Sequence, residues 1–562
     1  YKLSQKNSSW VYTLNQISPS AVAYDKTQAT YQIESYRQAP DGTKQDVAWK
    51  VIGYSVDNGT TWTTTKPSWL KSLSKEQSNG GTAAEQLTAT LGTDIVDLLA
   101  ERNKGLQEAT PLGNSSTYYN LSNATGAAAV QNTANCYVIS APGYYMIPLV
   151  YGNAIKNSQT NSNAYISRAP VTKLQFGTTT TIKDVILHNF VDHQSAKITS
   201  PWIEKTNGGA NNGIDGAEVT WSDESNLVEL ANSPIYHDAS GNAFVKFEVK
   251  KDNLKSGNAV ISVKKGNTIL WSWHLWFAPK NALDKITVTN NQGKKYDFTR
   301  ETLGWKPTKW IGTSYSTPRT VKVKVEQVVG NNGNKQNAII TITQNAGLTK
   351  KSGTTTLYQW GRNNAFPGTD ASLPQGIIYS SREDINMNNK IQKPNYFFTT
   401  NILANETIAP NDGVTRLHYF YNLWSMDNNH RGDINAPNNI DVVKTIYDPC
   451  PVGFNVPTNG AFSGFTTSTT NGTNVPATFE LNSGHIFWVN SSHTESIYFP
   501  ASGFRNAKDA ILKDALTSGN YWSADPQDYN NGCAMGFNET EIRPLFRNIR
   551  TYGFAVRPVA EK

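Results

Sequence analysis

The sequence is poor in charge, in cysteine and in long apolar runs, and each shortage excludes a class of protein. Charged residues are only 17% of the 562 positions and sum to a formal +7. A chain kept unfolded by its own charge carries far more of it, and fewer rings than the 11% aromatics found here. A coiled coil or long-helix protein would also be richer in charge. The basic residues come as pairs such as Lys264-Lys265 rather than as a patch, so no nucleic-acid partner is expected. The three cysteines, Cys136, Cys450 and Cys533, are odd in number and lack a CxxC pair, which signals neither a zinc site nor a disulfide framework. Buried free thiols are the simpler expectation, and a Cys450 to Cys533 bridge is the alternative. No apolar stretch approaches the roughly 20 residues that cross a bilayer as a helix, and the chain opens on polar Tyr1-Lys2-Leu3-Ser4. Any export signal or lipid anchor is expected upstream, with membrane contact only through it.

Glycine, with 41 residues, and asparagine, serine and threonine are abundant instead, the composition of short strands joined by turns. The length exceeds the roughly 250 to 300 residues at which one core stops growing, so about three to four domains are expected. Residues 1–110 read as a small β-sandwich, from the run Val47 to Tyr54, a turn at Asp57-Asn58-Gly59, and then Trp62 and Trp69. Inside it Thr93 to Gly105 has helical spacing, with Thr93 as its cap. Residues 111–135 have linker composition and open a second sandwich module, 111–280. There Cys136 to Ser140 and Tyr144 to Gly152 read as two apolar strands around Ala141-Pro142-Gly143. Val245, Phe247 and Val249 alternate with charged residues, and Trp271, Trp273, Leu275 and Phe277 share one buried face, leaving Trp276 for the other. Residues 281–346 read as a small all-β module built on the hairpin Val321 to Ile342. Residues 347–562 are irregular, with long Asn-rich loops between short aromatic strands.

In that last segment Asp448-Pro449-Cys450-Pro451-Val452-Gly453-Phe454-Asn455-Val456-Pro457-Thr458 is followed by Tyr521-Trp522-Ser523-Ala524 and then by Tyr552-Gly553-Phe554-Ala555-Val556-Arg557-Pro558-Val559. This series resembles the Fibrobacter succinogenes major paralogous domain over roughly 200 residues, three motifs in the family's order. The resemblance implies a C-type-lectin-like fold. The sequence departs from the family where Asn459 to Gly464 is glycine-interrupted and where Pro558 stands in place of a frequent cysteine. Upstream, Pro67-Ser68-Trp69-Leu70 with Leu87 to Leu91 is similar to BACON-type sandwiches. Asn135 to Ile139 with Tyr151-Gly152-Asn153, and Gly257 to Val260 with Trp271 to Trp276, resemble segments of Bacteroidetes surface and fimbrial tip proteins. The fold class expected is therefore mostly β and multidomain, immunoglobulin-like β-sandwiches followed by a C-terminal α+β C-type-lectin-like domain. What the resemblance implies for function is a cell-surface adhesin, placed at the outer membrane or a fimbrium tip, with a host protein or glycan as ligand and pilus subunits as partners.

The residues themselves point the same way, since no catalytic signature converges. His188 and His193 miss the spacing of a helical zinc pair, His274 lies on a strand, and Glu383-Asp384 is a carboxylate pair of the kind chance supplies. No enzyme activity, cofactor or metal is expected. The calcium-binding Glu-Pro-Asn and Trp-Asn-Asp arrangements of sugar-binding lectins are missing. Their nearest counterpart is the polar run from Trp424 to Asp433 with Ala436-Pro437-Asn438-Asn439. Its oxygen donors and its Arg431-Gly432-Asp433 tripeptide make Trp424, Asp427, Asn428, Arg431 and Asp433 the ligand-binding candidates. The end of the sequence at Lys562, just past Val559, leaves no spare donor strand, which suits a filament tip. The alternative is a polysaccharide-capturing surface lipoprotein using Trp49, Trp62, Trp69 or Trp276; a hydrolase is the third reading.

Overall fold

A computed structural model describes residues 10–175, 178–347, 350–369, 376–380, 387–399, 422–426, 435–465, 478–480, 483–489, 495–527 and 531–562. The chain is mostly β and divides into two compact units, residues 1–98 with 310–350 and residues 99–309 with 351–562.

The first unit has two facing sheets. One orders Val11–Ile17, Gln28–Gln38, Gly81–Leu91 and Leu70–Leu73; the other orders Asn337–Gln344, Arg319–Gln327, Trp49–Ser55 and Gln77–Ser78. Tyr31, Ile33, Trp49 and Leu87 meet Val321, Val323, Val325, Ile340 and Ile342 in one core. The hairpin expected to found a module of its own at 281–346 instead pairs Val323 with Tyr54 and Gln327 with Trp49. A two-stranded hairpin cannot bury its valine and isoleucine face by itself, so it closes the N-terminal sandwich, and neither 1–110 nor 281–346 is a separate body. The rest of that expected module, Lys285–Thr289 and Lys295–Thr299, joins a sheet with Val559–Ala560 and Phe454–Asn455 in the second unit. The helix also differs from the expected one: it runs from Leu98 to Glu108, because Ile95–Asp97 is spent as a strand paired with Ile311 to Thr313.

The second unit is built around two sheets. We label its strands β1 (Tyr119–Asn120), β2 (Cys136–Ile139), β3 (Gly143–Pro148), β4 (Gly216–Ser222), β5 (Glu229–His237), β6 (Ala243–Val249), β7 (Gly257–Lys265) and β8 (Thr268–Phe277). One sheet has the order β2-β8-β7-β4, the other β5-β6-β3-β1. The two apolar strands around Pro142-Gly143 thus fall in different sheets, β2 beside β8 and β3 beside β6. Alternation holds along β6, where Val245, Phe247 and Val249 are buried. Along β8 both faces are buried, Trp276 included.

The second face of β8 is covered by Trp305 together with the C-terminal segment. Trp276 Nε1 donates to the Trp305 carbonyl at 3.1 Å, His274 bonds Tyr358 Oη at 3.1 Å, and Ser272 Oγ accepts from Asn364 Nδ2 at 3.1 Å. A free-standing unit 347–562 is therefore corrected to a segment that shares one core with residues 99–309, running from Leu106 through Trp271 and Tyr447 to Val556. The three motifs of the C-terminal segment knit it together, and the last of them ties it to residues 299–302. Asp448 accepts the Cys450 and Val456 N–H groups at 2.7 and 2.9 Å, and buried Lys444 donates to the carbonyls of Cys450, Pro451 and Phe454 at 2.9, 2.8 and 2.6 Å. Trp522 Nε1 donates to the Tyr358 carbonyl at 2.8 Å and its ring lies 4.3 Å from that of Phe554. Arg557 bonds Thr299, Thr302, Tyr498 and Arg300. All three cysteines are buried and free.

Candidate functional site

Of the five residues expected to meet a ligand, Trp424 is described and Asp427, Asn428, Arg431 and Asp433 lie outside the described residues, as do Glu383 and Asp384. Trp424 is an anchor rather than an exposed stacking face. It is fully buried, its ring is 5.5 Å from that of Trp360, and its Nε1 donates to the Arg362 carbonyl at 3.3 Å. Asn422 Oδ1 accepts the N–H groups of Trp424 and Ser425 at 3.0 and 2.9 Å, and the Met426 N–H reaches the Val443 carbonyl at 2.8 Å. On the other side of the polar run, Asn438 Nδ2 donates to Asp525 at 2.6 Å, and Asn439 Oδ1 accepts from Asn290 at 2.6 Å and from Tyr296 Oη at 2.8 Å. The described residues on either side of the run, Asn422 to Met426 and Asn438-Asn439, are thus bonded into the buried frame of the second unit.

His274 and His237 are committed to structure, whereas His193 is buried with no hydrogen-bond partner at Nδ1 among the described residues. His274 is buried, with Nε2 2.9 Å from Asn258 Oδ1 and Nδ1 3.1 Å from Tyr358 Oη. Asn258 spends its amide hydrogens on Asp223 and the Gly304 carbonyl, so its oxygen faces the ring, Nε2 carries the proton and Nδ1 accepts from tyrosine. Burial pushes the His274 pKa down from 6.5 to about 3. His193 is buried and its pKa is likewise lowered by burial. His237 Nε2 lies 2.8 Å from Glu204, but the other Glu204 oxygen takes the Gly213 and Ile214 N–H groups, which makes the pair a loop clasp.

A cleft that the sequence reading missed lies in the second unit, between the edges of its two sheets. It measures about 260 Å³ and is lined by Leu112, Tyr119 and Leu121 on one side, Val138 of β2 on the other, and Tyr145, Leu283 and Val452. Strand β2 is an edge strand paired in parallel with β8. His274 N–H donates to the Asn135 carbonyl and Ala278 N–H to the Ile139 carbonyl, so the odd-numbered residues bond β8. In a parallel ladder the intervening residues turn their groups outward; Cys136, the first of them, is bridged in parallel to Pro451, which leaves the Val138 N–H and C=O on the outer edge. The wall opposite depends on glycine. A Cβ on Gly143 would stand 1.9 Å from the Leu112 carbonyl oxygen, which receives the Tyr144 N–H at 2.9 Å.

A second trough, about 480 Å³, adjoins the cleft and shares Leu112, Ser140 and Lys280 with it; helix residues Glu101, Arg102 and Leu106 line its far side. Leu112, Tyr119 and Leu121 fall in the stretch read as linker, where asparagine and alanine dilute the strand pattern. The Tyr118-Tyr119 pair and Leu121 were the only local signal.

A family model described as a domain of unknown function (DUF8237) matches residues 479–559, the stretch holding Trp522 and Arg557. Neither the curated proteins nor the solved structures gave a match.

Proposed function

We propose that this protein is a non-enzymatic cell-surface adhesin, carried at the tip of a fimbrium, that takes an extended strand from a neighbouring subunit along β2 and meets a host protein or glycan through residues 427–434. The observation that carries the reading is the cleft: the outer edge of β2 at Val138, just past the Cys136–Pro451 bridge, set over an apolar trough between two sheets. Such an edge offers main-chain hydrogen bonds, and the trough offers sites for alternate side chains, which is how one chain completes the sheet of another. The ligand half of the reading draws support from the bonded residues that flank the polar run in sequence, Asn422 to Met426 and Asn438-Asn439, because binding segments are commonly loops carried between rigid elements. We further propose an immunoglobulin-like arrangement for the sandwiches and a C-type-lectin-like one for the strands after residue 447, on the strength of the three motifs that meet there.

The tryptophans on which the polysaccharide-capture alternative rested are buried at 49, 69 and 276, so that reading has no exposed ring from them beyond half-buried Trp62. The test is a panel of host matrix proteins and glycans probed with the full chain and with the triple variant Asp427→Ala, Arg431→Ala, Asp433→Ala. Binding by the parent and at least a tenfold loss in the variant, with an unchanged melting temperature, supports the reading. Equal binding by both chains, or no binding to any member of the panel, overturns it.

A further inference from the structure

The cleft along β2 is chemically lopsided. Its lining is aliphatic, aromatic or neutral with one exception, Lys280, the single charged residue among those that form it. Lys280 follows Pro279 at the end of β8 and is exposed. It enters no ion pair of 4.0 Å or less with a described residue, whereas the other cation at the adjoining trough, Arg102, is held by both oxygens of Glu301 and by Ser256. An ammonium left uncommitted at the lip of an apolar cleft is partly desolvated when anything fills that cleft, and only an anion in the occupant offsets this. Lys280 does not sit at the end of the groove, because the adjoining trough shares it, together with Ser140 and Leu112, and continues to Glu101 and Leu106. An extended occupant therefore runs past the ammonium rather than stopping at it.

From this geometry we infer that the strand accepted along β2 carries an acidic side chain, aspartate or glutamate, placed within its length to meet Lys280, with apolar residues before it to fill the trough beside Val138. The inference rests on the strand-accepting part of the proposed function and adds the chemistry of the partner to it. In an extended strand alternate side chains point to one side, so the acid belongs at an odd or an even set of positions shared with the apolar residues, not between them.

The experiment uses the full chain and three fluorescent decapeptides of alternating valine and threonine. The first carries one central aspartate at a valine-phase position and an amidated end, the second an asparagine there with an amidated end, and the third the asparagine with a free C-terminal carboxylate. The aspartate peptide is expected to bind at least tenfold tighter than its asparagine twin at low salt, and Lys280→Met, a change on the surface, is expected to erase the difference. Equal binding of the two amidated peptides overturns the acidic inference while leaving strand acceptance standing. Preference for the free carboxylate overturns it in favour of a chain terminus. Tight binding untouched by Val138→Pro, which removes the outward N–H of an edge strand that tolerates proline, places the peptide elsewhere and overturns both, as does binding of no peptide at all.

Discussion

His274 shows at the scale of one residue how the second unit turns a polar group into structure. Both ring nitrogens are bonded and the ring is buried, so folding holds it neutral. The unfolded chain takes up a proton near 6.5, the folded chain only near 3. A depressed folded pKa means a contribution fully present above 6.5 that is lost as pH falls toward 3. Over that window the loss is expected to reach on the order of 4 kcal/mol. His485, pushed by burial down to about 4, adds to it in the same direction. Urea denaturation of the parent and of His274→Gln between pH 7 and 4 measures this: the variant, lacking the titration, should give the flatter profile, and parallel profiles would refute the assignment. In the sequence the residue was visible as a strand histidine between Trp273 and Leu275. Its partners were not: Asn258 reaches it diagonally across the β7–β8 pair, and Tyr358 comes from the distant C-terminal segment that covers the outer face of β8.

Among the elements, β2 and the wall facing it are the informative pair. Gly143 lets the Leu112 segment lie against the start of β3, and a methyl group there collides with the Leu112 carbonyl oxygen. Backbone cannot yield as a flexible side chain does, so Gly143→Ala is expected to cost at least the 1–3 kcal/mol typical of overpacking and to weaken any occupant of the cleft. Thermal melts with a peptide-binding assay check both effects; a variant as stable as the parent would show that the wall can move. Period-two alternation located β6, β7 and β8 as strands, and along β6 it also gave the buried face, Val245, Phe247 and Val249. It failed where both sides of a strand are covered, as at Trp276, because alternation reports contrast between faces and vanishes when both are dry. It failed again at β1, two residues long and embedded in a run of asparagine and alanine.

For the whole molecule, the controlling fact is that neither unit is continuous in sequence. The first needs Arg319–Gln327 and Asn337–Gln344, and the second needs the C-terminal segment, through Tyr358 and Asn364, to cover β8. A fragment ending at residue 110 would expose the valine-lined gap where that hairpin belongs, and one starting at 347 would expose Tyr358, Trp360 and Tyr447. Neither fragment is expected to show a cooperative melt or dispersed amide resonances, while the intact chain should show both. A sharp independent transition for either would mean the shared cores are dispensable. The mostly β class and many strands were legible from composition and turn residues. The domain boundaries were not, because turn and linker signals mark where the chain bends and carry no information about which later strand will pair with an earlier one.

The late return of the Arg319 hairpin has a consequence for biosynthesis. A chain threaded out from its N-terminus, by a ribosome or through a translocation pore, presents Trp49 and its neighbours more than two hundred residues before the strand that shields them. Early folding intermediates then have no completed body to rest in, and the long sequence separation of the pairing contacts slows closure. The first unit of the newborn protein stays open to proteases and holdase chaperones until the strand ending at Gln344 has emerged.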